Sequence, residues 1–269
     1  MDNTWDEMLK FRYKSVDISN FGPFGPNNIL YLENGTCFVE GDHGRGKTTI
    51  AHALLGYPAP SPPNLSALGV NRHRPPNAEK ILEGTDECIE KFLLHYPEDY
   101  MKPHELLKLS FSKGLIKAEQ IPTFANLVSD NLNQMLARKY SEFQLWFQVD
   151  ANEQFKPEVF LRRGENWVGT WAPAVEENTV LSLAIYHGIR KINHPAIDVP
   201  FVIDCIFGRL SLDVRDKVLD FLPSLSSQLI VLEQCSFFSL TGVKPDFIIE
   251  QDGSRDSPSR IVRPNVSIH

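Results

Sequence analysis

Between the apolar stretch Cys37-Phe38-Val39 and a helix-spaced run that begins at Ile50, residues Gly41 to Thr49 read GDHGRGKTT. Gly41, Gly46, Lys47 and Thr48 satisfy the spacing G-x-x-x-x-G-K-[ST]. The chemistry needs these residue types because glycines let backbone N–H groups curl around a phosphate, while the following helix presents its positive end to the anion. In such a loop Lys47 reaches the β- and γ-phosphates and the Thr48 hydroxyl holds Mg²⁺, with Asp42, His43, Gly44, Arg45 and Thr49 completing the cradle. The spacing alone occurs by chance, and an incidental Lys in a flexible glycine turn is the other reading. Context decides between them. Thr36–Glu40 has the pattern of a short strand after the Asn34-Gly35 turn, and TTIAHALL has that of a helix stopped by Gly56 and Pro58. Strand, glycine loop and helix come in the required order, which points to a bound nucleoside triphosphate.

Such a site needs a second half, an apolar strand ending in Asp whose carboxylate contacts the Mg²⁺ shell. Phe201-Val202-Ile203-Asp204 fits. An Asp can also end a buried strand merely as a cap for the next element, so this assignment leans on the loop upstream. Lys47 and Asp204 are thus the candidate catalytic residues, and Thr48 and Asp204 the candidate metal ligands.

The runs PFVID (200–204) and QLIVLE (228–233), separated by a helical pattern at 213–222, predict a parallel sheet covered on both faces, which DFIIE (246–250) extends. Toward the N-terminus, Phe11–Ile18 alternates like a strand, NFGPFGPNN makes a turn, and Ile29–Leu32 returns. The proline-rich stretch 58–77 reads as an exposed crossing. Helical patterns come next at Ala78–Tyr96 and Pro103–Tyr140, the second broken near Gly114 and Pro122. From Phe143, FQLWFQV, PEVFLRR and NWVGTW suggest a small antiparallel sheet, and a helix starts near Glu176. The expectation is one α/β domain over 1–269: an N-terminal lobe (1–57), a helical insertion (58–142) and a C-terminal lobe (143–269).

A chain of 269 residues with 17 Phe can bury a full core, and a formal charge of −7 argues against coating nucleic acid through an overall field. Cys37, Cys88, Cys205 and Cys235 form no CxxC pair and no zinc spacing, so reduced, buried thiols are expected. No basic head followed by an apolar run opens the chain, and no window reaches the roughly 18 apolar residues of a membrane span. A cytoplasmic protein without membrane contact is expected.

The order strand, Asn-Phe-Gly turn, strand, phosphate loop, helical interruption, small sheet, helix and Asp-ended strand resembles the ATPase heads of the SMC, Rad50 and RecF group of ABC-type P-loop ATPases. The stretch Ile203–Leu232, IDCIFGRLSLDVRDKVLDFLPSLSSQLIVL, is most similar to the ATPase of bacterial DNA phosphorothioation systems. The resemblance covers about residues 11–56 and 165–235. It implies that Asn20 and Phe21 lie near the adenine, that Gly41–Thr49 holds the phosphates of ATP, and that Asp204 sits on Mg²⁺. It also implies that Gly208, Arg209 and Leu210 face a second ATPase head, since in this group two heads sandwich two nucleotides. Other DNA-processing subunits, and DNA through the complex, are the further partners implied.

Four departures from that family stand out. Its Leu-Ser-Gly-Gly-Glu signature falls at Ala172-Pro173-Ala174-Val175-Glu176, where only the Glu remains; Pro173 removes a hydroxyl and a backbone donor, and Val175 puts a branched side chain where Gly admits phosphate. Cys205 stands where the catalytic Glu usually comes after the Asp, and a thiol replaces a carboxylate base only with a strongly lowered pKa. The His that is common after the next strand is absent, since Leu232 leads into Glu233-Gln234-Cys235; Glu233 is either a substitute carboxylate or a solvated strand end. The stretch 64–142 also lacks sustained heptads and carries Pro97, Pro103 and Pro122, so a short helical insertion stands in place of a coiled coil.

Several other features have two readings. Asn71-Arg72-His73-Arg74 is a phosphate contact or a solvated basic turn; Arg162-Arg163 is an exposed charge pair. His43 contacts the γ-phosphate or merely tolerates the bend. Trp146, Trp167 and Trp171 read as core or interface rather than base-stacking platforms. Cys37, Cys205 and Cys235, near the ends of central strands, either approach one another or pack as small apolar groups. The expected function is an ATP-binding, at most slowly hydrolysing head that controls assembly of a DNA-acting complex in modification, repair or defence. The rivals are a non-hydrolysing nucleotide-binding adaptor and a small-molecule kinase.

Overall fold

Gln228–Glu233 is buried at all six positions, and a strand apolar on both faces belongs in the middle of a covered parallel sheet. That is where it lies. The computed structural model describes residues 9–32, 35–55, 77–83, 107, 110, 114–136, 145–149, 155–163, 166–169, 175–193, 197–198, 200–252 and 257–264. In chain order the first elements are β1 (Leu9–Asp17), β2 (Ile29–Tyr31), β3 (Gly35–Gly41), α1 (Lys47–Leu55), β4 (Asn77–Glu83), α2 (Ile121–Leu136), β5 (Leu145–Val149), β6 (Phe155–Arg163) and β7 (Asn166–Gly169). The remainder are α3 (Val175–Asn193), β8 (Ile197–Asp198), β9 (Phe201–Asp204), α4 (Leu212–Phe221), β10 (Gln228–Glu233), α5 (Cys235–Thr241), β11 (Phe247–Gln251) and β12 (Ser259–Val262). The chain divides into two units. One comprises Lys10–Glu83, Asp198–Gly208 and Pro223–His269; the other comprises Met1–Leu9, Gly84–Ile197 and Arg209–Leu222.

The first unit holds a five-stranded sheet in the order β12-β11-β3-β10-β9. β10 runs parallel to β3, with Gln228 opposite Gly35 and Glu233 opposite Glu40. It also runs parallel to β9, with Leu232 opposite Asp204. This register has a functional consequence: Gly41 and Asp204 leave the sheet at the same edge, on either side of β10, where open α/β sheets bind ligands. β11 joins parallel to β3 as expected, and β12 closes the sheet antiparallel. Phe38 lies 6.3 Å from both Phe237 and Phe238, and Phe207 stacks on Phe237 at 4.8 Å, so α5 is anchored by aromatic packing.

A second sheet of this unit runs β2-β1-β4. Buried Gln228 links β1 to the central sheet, since its Oε1 accepts the Tyr13 N–H at 2.9 Å and its Nε2 donates to the Tyr13 carbonyl at 2.8 Å. β4 corrects the sequence reading. The helical pattern that begins at Ala78 is a strand over Asn77–Glu83, antiparallel to β1 from Lys10 opposite Glu83 to Asp17 opposite Asn77. Ala78, Ile81 and Leu82 have helical spacing, but pairing with β1 decides, since it gives both backbones hydrogen-bond partners. The rest of that pattern, 84–96, lies outside the described residues. Three further elements escaped the sequence reading: the two-residue β8, α5, which begins almost at once after β10, and β12 in the polar tail.

In the other unit α2 and α3 pack closely at Gly188, where a Cβ would stand 2.9 Å from Val128 Cγ2 and 3.0 Å from Phe124 Cε2. Asn131 Nδ2 lies 2.9 Å from His187 Nδ1 in this buried contact, and the His187 ring meets Phe221 of α4 edge-on. The breaks read from the sequence are present. Gly114 takes φ +66°, and Pro122 falls in the first turn of α2, where its missing N–H costs nothing. β5, β6 and β7 form the expected antiparallel sheet. No helix among the described residues is long and apolar enough to cross a membrane.

Candidate nucleotide site

β3 delivers Gly41 to the loop and α1 begins at Lys47, with Gly44 at φ +77° and Gly46 at φ +111°. Side-chain-bearing residues rarely take those values, which is the local reason for glycine at both points. Lys47 is 5% exposed. Its Nζ donates to the Gly41 carbonyl at 2.6 Å and the Asp42 carbonyl at 2.9 Å, folding the ammonium over the loop. The first turn of α1 carries no acidic residue, so its positive end is left for an anion.

Across β10, Asp204 accepts the Thr48 hydroxyl at 2.6 Å through Oδ2. This is the contact that joins the two halves of the motif. A hydroxyl and a carboxylate that close on each other make the oxygen pair a hard cation such as Mg²⁺ prefers. The space on the side-chain side of Gly44 is open, with nothing within 4 Å of where a Cβ would stand. Ammonium, loop amides, hydroxyl and carboxylate together fit a magnesium triphosphate.

The remaining residues singled out in the sequence surround this centre unevenly. Asp42, His43 and Gly44 are exposed at the loop tip, and Asp42 Oδ1 accepts the Cys235 thiol at 3.0 Å. Arg45 is half-buried, and its guanidinium donates to Gln251 Oε1. Thr49 is buried and turned toward Gly22, whose Cβ would stand 2.5 Å from Thr49 Cγ2. Asn20 is exposed at φ +58°, whereas Phe21 is only 2% exposed, so of this pair only Asn20 faces solvent. Gly208 and Arg209 are exposed in a 3₁₀ turn and Leu210 is buried.

The residues that depart from the family pattern have physical explanations. Cys205 takes φ +54° and gives its N–H to the Leu232 carbonyl at 2.9 Å. Burial first, then the neighbouring Asp204 charge, push its thiol up to about 12; Lys47 opposes this, and Glu233 adds to it by less. The shift is away from thiolate, the opposite of what a thiol base needs. Glu233 is 2% exposed, which excludes the solvated strand end. Its Oε1 accepts the Phe207 N–H at 2.9 Å and its Oε2 the Gln234 N–H at 3.2 Å, so both oxygens pin backbone after β9 and β10. Burial raises its pKa despite those bonds. Burial, then Glu40 and Asp42, pushes the Cys235 thiol up to about 12 as well.

Cys37 is buried opposite Ile230, three residues before Glu40, so about 10 Å of strand separates it from the loop end. It packs as core. Glu176, the remaining signature residue, accepts the Ser211 N–H at 2.8 Å and so holds the start of α4. Ala172, Pro173 and Ala174 lie outside the described residues, as do Asn71–Arg74, Cys88 and Trp171. Arg162 and Arg163 lie on β6, Trp146 on β5 and Trp167 on β7. The sequence reading missed Pro23, Phe24 and Gln251, which back the loop; the dense Gly and Pro of NFGPFGP was the available signal for the first two.

No family model matches this chain, and no curated protein does. Solved structures do. An SMC head bound to the C-terminal winged-helix domain of ScpA superposes with a TM-score of 0.61 at 16% identity, over 95% of this chain and 98% of that one. The Pyrococcus furiosus SMC head with an extended coiled coil, bound to the C-terminal domain of ScpA, gives 0.55 at 15% identity, over 94% and 96%. The chain therefore has the mixed α/β fold of SMC head domains.

Proposed function

We propose that the chain binds ATP with Mg²⁺ through Gly41–Thr49 and Asp204, and uses nucleotide state to control its association with a second ATPase head and with DNA-processing subunits. The observation that carries this reading is the Thr48–Asp204 contact, which sets a metal-preferring oxygen pair beside a glycine loop at a helix N-terminus. When bound, Mg²⁺ would supply charge neutralisation at the β- and γ-phosphates. Lys47 would turn from its two carbonyls to the phosphates, the loop amides would hold their oxygens, and Thr48 and Asp204 would keep the cation in place. Asn20 would meet the adenine side. The SMC heads of similar fold are bound to ScpA domains, which supports a protein partner here. Association with a DNA modification or defence system rests on the likeness of Ile203–Leu232 alone.

A second reading, nucleotide held without turnover, draws on one specific observation: both groups offered in place of the missing carboxylate have other roles in the fold. Cys205 gives its N–H to the Leu232 carbonyl and its thiol is pushed away from thiolate by burial, and Glu233 accepts backbone amides at both oxygens. Turnover of ATP is measured with and without DNA and a candidate partner ATPase, beside a Lys47→Ala control. Turnover lost in the control supports the ATPase; tight binding without turnover supports the adaptor; phosphate transfer to a metabolite supports the kinase.

A further inference from the structure

The turn after β1 and the hairpin β11–β12 touch the phosphate loop at several separate points, none of them part of the motif itself. A Cβ on Gly46 would stand 2.8 Å from Phe24 Cε2 and 2.8 Å from Pro23 Cγ, so the loop backbone at this glycine rests on these two rings. Gly22, at φ +57°, lies closer still to Thr49 in the first turn of α1, where its Cβ would stand 2.5 Å from Thr49 Cγ2. Gly41 is backed by β11, with Ile249 Cδ1 3.0 Å from where its Cβ would be. Gln251, at the end of β11, accepts from the Arg45 guanidinium and donates to the Ser257 carbonyl.

The turn is itself fastened to β12. Ser259 donates its N–H to the Pro23 carbonyl at 2.8 Å, and its carbonyl accepts the Gly25 N–H at 3.2 Å. Asn28, 2% exposed, accepts the Ile261 N–H at 2.8 Å and donates to the Gly25 and Pro26 carbonyls at 2.9 and 3.2 Å. Phe24 is wholly buried between these bonds and Gly46. The loop is thus held from both strands of the hairpin.

We propose that the turn Asn20–Asn28 and the hairpin β11–β12 form a brace that presets the phosphate loop, with Phe24 and Gln251 as its positioning residues. This rests on the nucleotide-binding reading above. A loop already in its binding shape avoids the ordering cost that a ligand would otherwise meet, so the brace acts on affinity rather than on contact with the nucleotide. Neither residue touches phosphate; each acts through the loop backbone.

The test uses Phe24→Leu, which removes the ring from Gly46 yet fills most of its space, and Gln251→Ala, which leaves the core intact should Phe24→Leu fail to fold. Amide hydrogen exchange of Asp42–Thr48 is monitored in the nucleotide-free protein, with Ile230–Leu232 as internal reference, and Mg·ATP affinity is measured by calorimetry. The expected result is exchange faster by about tenfold confined to the loop, and an affinity weaker by about tenfold. A lowered melting temperature with unchanged loop exchange and affinity, or no change at all, overturns the proposal. Loosened loop amides in a protein whose wild type binds no Mg·ATP would leave the brace standing and remove the proposed function.

Discussion

Thr48 on α1 and Asp204 at the end of β9, 156 residues apart in sequence, meet at 2.6 Å between hydroxyl and carboxylate. The parallel register of β9 on β10 and β10 on β3 is what brings them there. Replacing Asp204 by Asn keeps an oxygen to accept the Thr48 hydroxyl and removes the charge that a cation needs. The expected outcome is a folded variant with an unchanged melting temperature whose ATP affinity no longer responds to Mg²⁺, read by titrations with Mg²⁺ and with EDTA.

Gly46→Ala tests the close approach on the other side of the loop. At φ +111°, with Phe24 and Pro23 2.8 Å from the added Cβ, the methyl meets both backbone strain and ring contact. A loss of about 1–3 kcal/mol is expected from the backbone alone, together with loss of nucleotide binding. Chemical denaturation and calorimetry check the two parts separately.

Legibility in the sequence varies by element. The phosphate loop, α1, β9, β10 and Asp204 were readable because their patterns are local: glycines where φ turns positive, and unbroken apolar strands where both faces are covered. β4 was misread, since Asn77–Glu83 has helical spacing and is made a strand by β1, a partner some 65 positions earlier in register. Pro23, Phe24 and Gln251 were overlooked for a related reason: their roles lie in contacts with Gly46 and Arg45 that no spacing announces. Glu233 was read as solvated or catalytic, and its burial between two backbone donors depends on loops folding around it.

Glu233 carries a pH signature. Its folded-state pKa is raised by burial, so the native state binds this proton more tightly than the unfolded chain. Its contribution is therefore most favourable below the ordinary Glu value and is lost as pH rises through the raised folded value. Urea unfolding of wild type and Glu233→Gln across that window should show the wild type losing stability relative to the variant as pH increases. A difference that stays level with pH would contradict the assignment.

Cys205 and Cys235 should be poor nucleophiles despite partial exposure. With both thiols pushed up to about 12, roughly one part in 10⁴ of each is thiolate at pH 8. Labelling of the native protein by a disulfide reagent, read by peptide mass spectrometry, should be far slower at both than after denaturation, and should accelerate as pH rises. Fast labelling of Cys205 at pH 7 would restore it as a candidate base.

The central claim, a glycine loop and a distant carboxylate acting as one magnesium-nucleotide site, is tested most directly by titrating Mg·ATP into the wild-type protein and into Lys47→Ala while recording heat and melting temperature. Removing the Lys47 ammonium should cost about 2 kcal/mol of binding, on the order of thirtyfold in affinity. The account predicts saturable heat and an upward melting shift in the wild type, both strongly diminished in Lys47→Ala. Absence of heat and of any shift in the wild type, or equal binding by the two proteins, would contradict it.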